Sequence, residues 1–197
     1  MSGQNKVSGV VLAGGMGRRV EHKDKGLLMF KHQPLVTYAL AALAPLTDEL
    51  FISANRNQAE YRQFGYPVLT DAGNQFDGPL AGILAAMQAA KYPVLLISPC
   101  DSPNICSELL QRLLNGLDDA HHDIVVASDG NRLHPVFAAI KTCLIANLQQ
   151  YLHSGERKLL TWLERHSLKA IDCSDFPEVF INIKTLQQLQ ELEKSTG

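Results

Sequence analysis

The chain has no large excess of charge of either sign. Its 197 residues carry 18 Lys and Arg against 20 Asp and Glu, a formal net charge of −2, so no basic field recommends a nucleic-acid or membrane-surface partner. No apolar run approaches the ~20 residues needed to cross a bilayer, and the opening Met1-Ser2-Gly3-Gln4-Asn5-Lys6 is polar. Cysteine is scarce, and Cys100, Cys106, Cys143 and Cys173 show neither C-x-x-C nor zinc-like spacing with the histidines. Reduced thiols and a cytoplasmic protein are the expectation. Internal repeats, low-complexity tracts and linker-like stretches are missing as well, so residues 1–197 are expected to form a single domain. No convincing Ser/His/Asp or Cys/His set is present, which fits chemistry that needs no dedicated general base. Hydrophobic residues at 46% and charged residues at 19% leave an ordinary globular composition with enough apolar material for a full α/β core.

The strongest pattern present lies at Val10-Val11-Leu12-Ala13-Gly14-Gly15-Met16-Gly17-Arg18-Arg19, closed by Lys23-Asp24-Lys25-Gly26. Val7, Val10, Val11 and Leu12 read as a buried strand that Gly14 cuts off. Gly14, Gly15 and Gly17 leave backbone N–H groups bare for the approach of an anion. Arg18, Arg19, Lys23 and Lys25 add four cations within eight residues. Glycines followed by cations directly after a strand favour polyphosphate over a merely conformational turn. The P-loop is excluded because Lys25 precedes Gly26 instead of following a glycine. The dinucleotide fingerprint is excluded because Gly15-Met16-Gly17-Arg18-Arg19 runs into Val20. The stretch resembles instead the signature L-x-G-G-x-[GS]-x-R-M-x(3–5)-K of nucleotidyltransferases with the sugar-nucleotide transferase fold. Leu12, Gly14, Gly15, Gly17, Arg19 and Lys25 match it; Val20 stands in place of the usual Met and Glu21 where Gly is common.

Further along, Pro34 opens a helix with Leu35, Tyr38, Ala39, Ala42 and Leu43 on one side, and Pro45 ends it. Leu50-Phe51-Ile52-Ser53 reads as a strand delivering Asn55. A polar helix follows at about 57–64, and Pro67-Val68-Leu69-Thr70-Asp71 reads as a strand ending in a carboxylate. Gly78-Pro79-Leu80-Ala81-Gly82 starts the next helix. Val94-Leu95-Leu96-Ile97-Ser98 is the most apolar strand, and it releases Pro99-Cys100-Asp101. Leu109, Leu110, Leu113, Leu114 and Leu117 form a helical stripe. Strands at 124–127 and 136–140 flank a connection at 129–134. Alternating strands and helices predict a single-domain Rossmann-like α/β fold, a mainly parallel sheet flanked by helices. Ligands of such sheets bind at the carboxyl ends of the strands, where Gly14, Asn55, Asp71 and Asp101 are expected to converge.

A nucleoside triphosphate needs cations, backbone donors and usually Mg²⁺, which takes few carboxylates and keeps several waters. Asp101 is the favoured metal ligand; the competing role is to cap a helix beginning near Ile105, which Ser102 or Asn104 could do instead. Lys25 would balance phosphate charge, and Arg19 would stabilise departing pyrophosphate. Arg18 and Lys23 read better as solvated charge. Asp71 fits a ribose or base contact and a turn cap equally well. Gly78 and Gly82 fit close approach of a purine edge, and a tight helix–sheet contact explains Gly82 as well.

Residues 12–17, Asp24-Lys25-Gly26-Leu27, Pro34-Leu35, Ala54-Asn55-Arg56, residues 78–82, Pro99-Cys100-Asp101, His134-Pro135 and Gly155-Glu156-Arg157-Lys158 follow the order seen in the molybdenum cofactor guanylyltransferases. The resemblance covers nearly the whole chain and closes at Phe180-Ile181-Asn182-Ile183. It implies the nucleotide-diphospho-sugar transferase type of fold and transfer of GMP from Mg·GTP to the phosphate of Mo-molybdopterin, with pyrophosphate released. It implies GTP contacts from Leu12, Ala13, Gly14, Lys25 and Asp71, joined in this reading by Gly15, Asn55, Gly78 and Gly82, with Mg²⁺ on Asp101. Ser53 is counted among the GTP contacts as well: it occupies a position where relatives often carry a nucleotide-contacting Asn, and it keeps a hydroxyl there. The family's terminal N-x-N-T-P appears as Asn182-Ile183-Lys184-Thr185-Leu186, so Asn182 carries over as a supporting or second-metal ligand, with a capping role open. On the acceptor side the resemblance implies His134, Arg157 and Lys158, although Arg157-Lys158 alone reads as a charged helix start. His121 and His122 read as surface-loop residues and Trp162 as packing. Transient contact with molybdoenzymes or cofactor chaperones is a further implication. A cytidylyl- or sugar-phosphate nucleotidyltransferase of the same fold, or a non-catalytic GTP-binding handover protein, are the alternatives.

Overall fold

Val7, Val10 and Val11 are buried and point to both faces of one pleated run, so β1 (Val7–Leu12) forms an interior strand of a sheet with helices on both faces. The computed structural model describes residues 6–14, 24–71, 78–117, 121–183 and 185–195. A single 3-10 turn, Lys25–Leu27, leads into an antiparallel hairpin of β2 (Met29–Phe30) and β3 (Gln33–Pro34). Lys31 and His32 turn that hairpin with φ of 45° and 65°, the left-handed pair that a two-residue hairpin turn requires.

The chain continues through α1 (Leu35–Leu43), β4 (Glu49–Ser53), α2 (Gln58–Arg62) and β5 (Val68–Leu69). Next come α3 (Pro79–Ala89), β6 (Val94–Pro99), α4 (Ser107–Leu117), β7 (Ile124–Ser128) and β8 (Leu133–Lys141). It ends with α5 (Ile145–His153), α6 (Leu159–Leu163), β9 (Leu168–Asp172) and α7 (Leu186–Ser195). The sheet order is β5-β4-β1-β6-β8-β7-β9. Among the described residues of this seven-stranded sheet, every pairing that involves β8 is antiparallel and the remaining ones are parallel. The mainly parallel, helix-flanked sheet is the architecture the alternating pattern predicts. No described helix is long and apolar enough to cross a membrane, and all four cysteines are free.

The two-residue strand period sends successive side chains to opposite faces. Val7, Val11, Ile52 and Leu96 pack with α1 and α4, while Val10, Phe51, Leu95 and Ile97 pack with α3, α5 and α6. Trp162 is fully buried on the second face, and its Nε1–H donates to Asn147 Oδ1 at 2.9 Å, so the packing role read for it holds. A smaller cluster of Leu28, Phe30, Leu35, Ile183 and Leu189 fastens the hairpin to α7.

Three local readings change. The strand read at Pro67 to Asp71 pairs only at Val68 and Leu69, because the Asp71 N–H leaves the ladder for the Asn55 side chain. His134 lies within β8 and not in a loop. The ladder between β7 and β8 shifts register from Val126↔Ala138 to Ala127↔His134, a bulge suited to Pro135, which has no N–H to donate. Strand β9 was not anticipated, and its half-exposed edge sequence Leu168-Lys169-Ala170-Ile171-Asp172 explains why.

At Gly82, α3 comes close to the sheet. A Cβ there would stand 2.5 Å from Ser53 Oγ and 3.3 Å from Leu12 Cδ2. Gly82→Ala is expected to destabilise the protein by roughly 1–3 kcal/mol through overpacking. Adding Ser53→Ala should recover part of the loss, since the nearest atom then becomes Ser53 Cβ at 3.3 Å. Urea unfolding of the single and double variants checks both; a Gly82→Ala variant as stable as wild type would remove the contact.

Candidate active site

Leu12 pairs in register with Ser53 on one side and Pro99 on the other, so three parallel strands end level. Their last rungs are the Ala13 N–H to Ser53 O bond at 2.8 Å and the Cys100 N–H to Leu12 O bond at 3.1 Å. Gly14, Asn55, Asp71 and Asp101 leave this edge together, as the positions after strands predict. Asn55 Nδ2 donates to Asp71 Oδ2 at 2.7 Å, and the Asp71 N–H donates to Asn55 Oδ1 at 3.0 Å. That reciprocal pair holds the Asp71 carboxylate beside the strand ends.

The central polar contact joins Lys25 Nζ to Asp101 Oδ2 at 2.8 Å, across 76 residues of sequence. Both side chains keep some exposure, 26% and 16%, so ligand can reach them. The cap role open to Asp101 is not what the structure displays: α4 begins only at Ser107, and the carboxylate faces Lys25. Burial, followed by the neighbouring Asp101 and Asp24 carboxylates, pushes the adjacent Cys100 thiol well up. Cys100 therefore stays a neutral thiol and is no nucleophile.

The segment around residues 177–183 returns to this edge. The Ile183 N–H donates to Asp101 O at 2.9 Å, and Ser102 Oγ donates to Asn182 Oδ1 at 2.7 Å. Asn182 is thus held by the hydroxyl of the residue that follows Asp101. His134 holds the same segment: its ring stacks on Phe180 at 4.0 Å, and its Nε2 meets Asp129 Oδ2 at 2.8 Å. That hydrogen bond, with the N–H groups of Asn131 and Arg132, holds the Asp129 carboxyl well below its ordinary range. Only 8% exposed, His134 reaches the carboxyl edge because β8 runs antiparallel and brings its first residues there.

Gly78 precedes α3 at φ 69°, with no described atom within 4 Å of where a Cβ would stand, whereas Gly82 is buried against Ser53 and Leu12. Of the two roles the sequence leaves to Gly82, the helix–sheet contact is the one the geometry displays. Ser53 is 3% exposed and faces Gly82. Gly15 and Arg19, together with Arg18 and Lys23, lie outside the described residues.

Arg157 and Lys158 follow α5 and divide in their contacts. Arg157 Nη1 donates to Leu152 O and to Glu156 O, both at 2.7 Å. Lys158 is exposed and precedes α6, and its carbonyl accepts from Tyr151 Oη at 3.0 Å. Arg157→Ala is expected to cost roughly 1 kcal/mol, or about 2–4 °C in Tm for a chain of this size. Lys158→Ala should leave Tm unchanged. Scanning calorimetry on both separates them; identical midpoints would show that the Arg157 contacts carry no stability.

Sequence reading missed the group behind Lys25. Asp24 is buried and accepts from Gly26 N–H, Tyr61 Oη and Asn57 Nδ2. Tyr61 is fully buried although α2 reads as a polar helix; the signal available was one aromatic residue among charged neighbours. Among the described residues no group of three or more His, Cys, Asp or Glu could hold a metal by itself.

The chain matches the MobA-like NTP transferase domain over residues 9–171. It is 39% identical over 190 residues to the molybdenum cofactor guanylyltransferase of Shewanella sediminis, spanning 96% of this chain and 97% of that one. The protein of the same name from Shewanella piezotolerans is 39% identical over 189 residues, 96% and 93% of the two chains. Molybdopterin-guanine dinucleotide biosynthesis protein A from Archaeoglobus fulgidus superposes with a TM-score of 0.80 at 23% identity, over 96% and 98%. The 4-diphosphocytidyl-2C-methyl-D-erythritol synthase of Anaerococcus prevotii shares the fold at TM-score 0.76 and 12% identity, over 98% and 96%. By its sequence relatives and its domain match, the chain belongs to the molybdenum cofactor guanylyltransferases of the MobA-like NTP transferase family and is a nucleotidyltransferase.

Proposed function

We propose that this enzyme transfers GMP from Mg·GTP to the phosphate of Mo-molybdopterin, giving molybdopterin guanine dinucleotide and pyrophosphate. The observation that carries the reading is the Lys25–Asp101 contact of 2.8 Å at the ends of β1 and β6. A cation and a carboxylate paired at a strand edge are the two charges that a metal-complexed triphosphate would separate, Lys25 turning to phosphate oxygens and Asp101 to the metal. A lone, partly exposed carboxylate suits Mg²⁺, which takes few protein ligands and fills its shell with phosphate oxygens and water. Bound there, Mg²⁺ would neutralise charge on the triphosphate as pyrophosphate departs.

The chain's own groups then divide the work. The Gly14 backbone meets the phosphates, Leu12 and Ala13 line the nucleotide from the end of β1, and the Asn55-braced Asp71 carboxylate meets ribose or base. Gly78 leaves room for the purine, and Asn182, fixed by Ser102, supports the metal side. Arg19 and Gly15 enter on the sequence motif alone, Arg19 toward the leaving pyrophosphate. Lys158 offers an exposed cation to the acceptor, while His134 and Arg157 shape that side from within. An acceptor phosphate oxygen attacks the α-phosphorus in line, the new P–O bond forming as the bond to the β-phosphate oxygen breaks. The acceptor phosphate is ionised near neutral pH, so positioning and charge neutralisation suffice without a dedicated base. Free thiols fit operation in a reducing, cytoplasmic setting.

Competition binding of GTP, ATP and CTP with Mg²⁺ present tests the nucleotide choice. GTP should win; a preference for CTP would replace the reading with cytidylyl transfer.

A further inference from the structure

We propose that Asp24, clamped by Tyr61 and Asn57, is the positioning residue that aims Lys25 at the nucleotide phosphates, an inference that rests on the guanylyl-transfer reading of this site. A lysine ammonium rides on a flexible four-carbon stem, so its aim depends on how firmly its backbone is fixed. Here that backbone is one 3-10 turn of three residues, Lys25–Leu27. Asp24 caps it: Oδ1 accepts from the Gly26 N–H at 3.2 Å, while the Leu27 N–H bonds Asp24 O at 3.2 Å.

The cap is itself held from α2. Tyr61 Oη donates to Asp24 Oδ1 at 2.5 Å, and Asn57 Nδ2 donates to Oδ2 at 3.3 Å. Tyr61 is completely buried, and a buried hydroxyl without a partner is costly, yet packing alone would be served by Phe. Burial above all, with Cys100 and Asp24 nearby, pushes the phenol far up, so it remains a donor at any working pH. Asn57 adopts φ 50°, ψ 31°, and its side chain makes no cap bond to its own helix; it reaches Asp24 instead. Gly26 completes the fit, because a Cβ there would lie 2.4 Å from Tyr61 Oη. The contacts thus run from Tyr61 through Asp24 and its turn to Lys25, and from Lys25 to Asp101.

The test is a double-variant cycle on the full chain, reading the Mg·GTP dissociation constant and the thermal midpoint for Tyr61→Phe, Lys25→Ala and both together. Tyr61→Phe should weaken Mg·GTP about tenfold. In the Lys25→Ala background it should add less than about twofold, while the shifts in midpoint still add. A merely structural Tyr61 would lower the midpoint and leave affinity alone, or weaken affinity equally in both backgrounds; either result overturns the proposal and leaves the site reading standing. Lys25→Ala binding Mg·GTP like wild type would overturn the site reading and this proposal with it. Asp24→Asn, which keeps one acceptor oxygen but removes the charge on which the three donors converge, enters the same cycle if Tyr61→Phe does not fold. Equal effects of Asp24→Asn with and without Lys25 would overturn the proposal.

Discussion

Asp101→Asn is expected to cut turnover by roughly 10²–10³-fold, the range seen when one preorganised charge-stabilising group is removed. Mg·GTP binding should suffer far less, because the metal's charge matters most as pyrophosphate leaves. The amide keeps the side chain's size but is a poor Mg²⁺ ligand. Stability should hardly change. The lost ion pair with Lys25 is partly exposed, and such pairs contribute about 0–1 kcal/mol. Steady-state kinetics at saturating Mg²⁺ decide the matter: near wild-type kcat would remove Asp101 from the metal.

Lys25→Ala is expected to lower Mg·GTP affinity and turnover together, each by more than about tenfold, since a charge-assisted contact contributes roughly 1.5–3 kcal/mol. Its Nζ touches Asp101 at 2.8 Å and is 26% exposed, so the fold does not lean on it. Equilibrium titration with GTP and a thermal melt of the same preparation check both parts. A collapse of the melting midpoint with little change in affinity would make Lys25 structural.

Much of this site could be read in the chain because its parts follow uninterrupted apolar runs. Val94 to Ile97 and Val10 to Leu12 have one plausible conformation, and the residues after such strands must share an edge. That logic brings Gly14, Asn55, Asp71 and Asp101 together without knowledge of any partner. What stayed hidden depends on pairs far apart in sequence. Tyr61 meets Asp24 across 37 residues, and Ser102 meets Asn182 across 80; nothing local marks either pair. Gly82 was ambiguous for the same reason, since only the packed sheet shows Ser53 filling the space a side chain would need. His134 was misplaced because Pro135 imitates a loop, and only the register of β7 against β8 reveals a bulged strand. Arg157 and Lys158 look alike in sequence, yet one side chain is tied to carbonyls of its own turn and the other is exposed.

The most direct measurement supplies purified enzyme with Mo-molybdopterin, Mg²⁺ and each nucleoside triphosphate in turn, labelled at the α-phosphate. Guanylyl transfer predicts label from GTP alone in a pterin dinucleotide, with one pyrophosphate released per product and both formed roughly 10²–10³-fold more slowly by Asp101→Asn. Label arriving from CTP, or GTP bound without any transfer, would contradict the account.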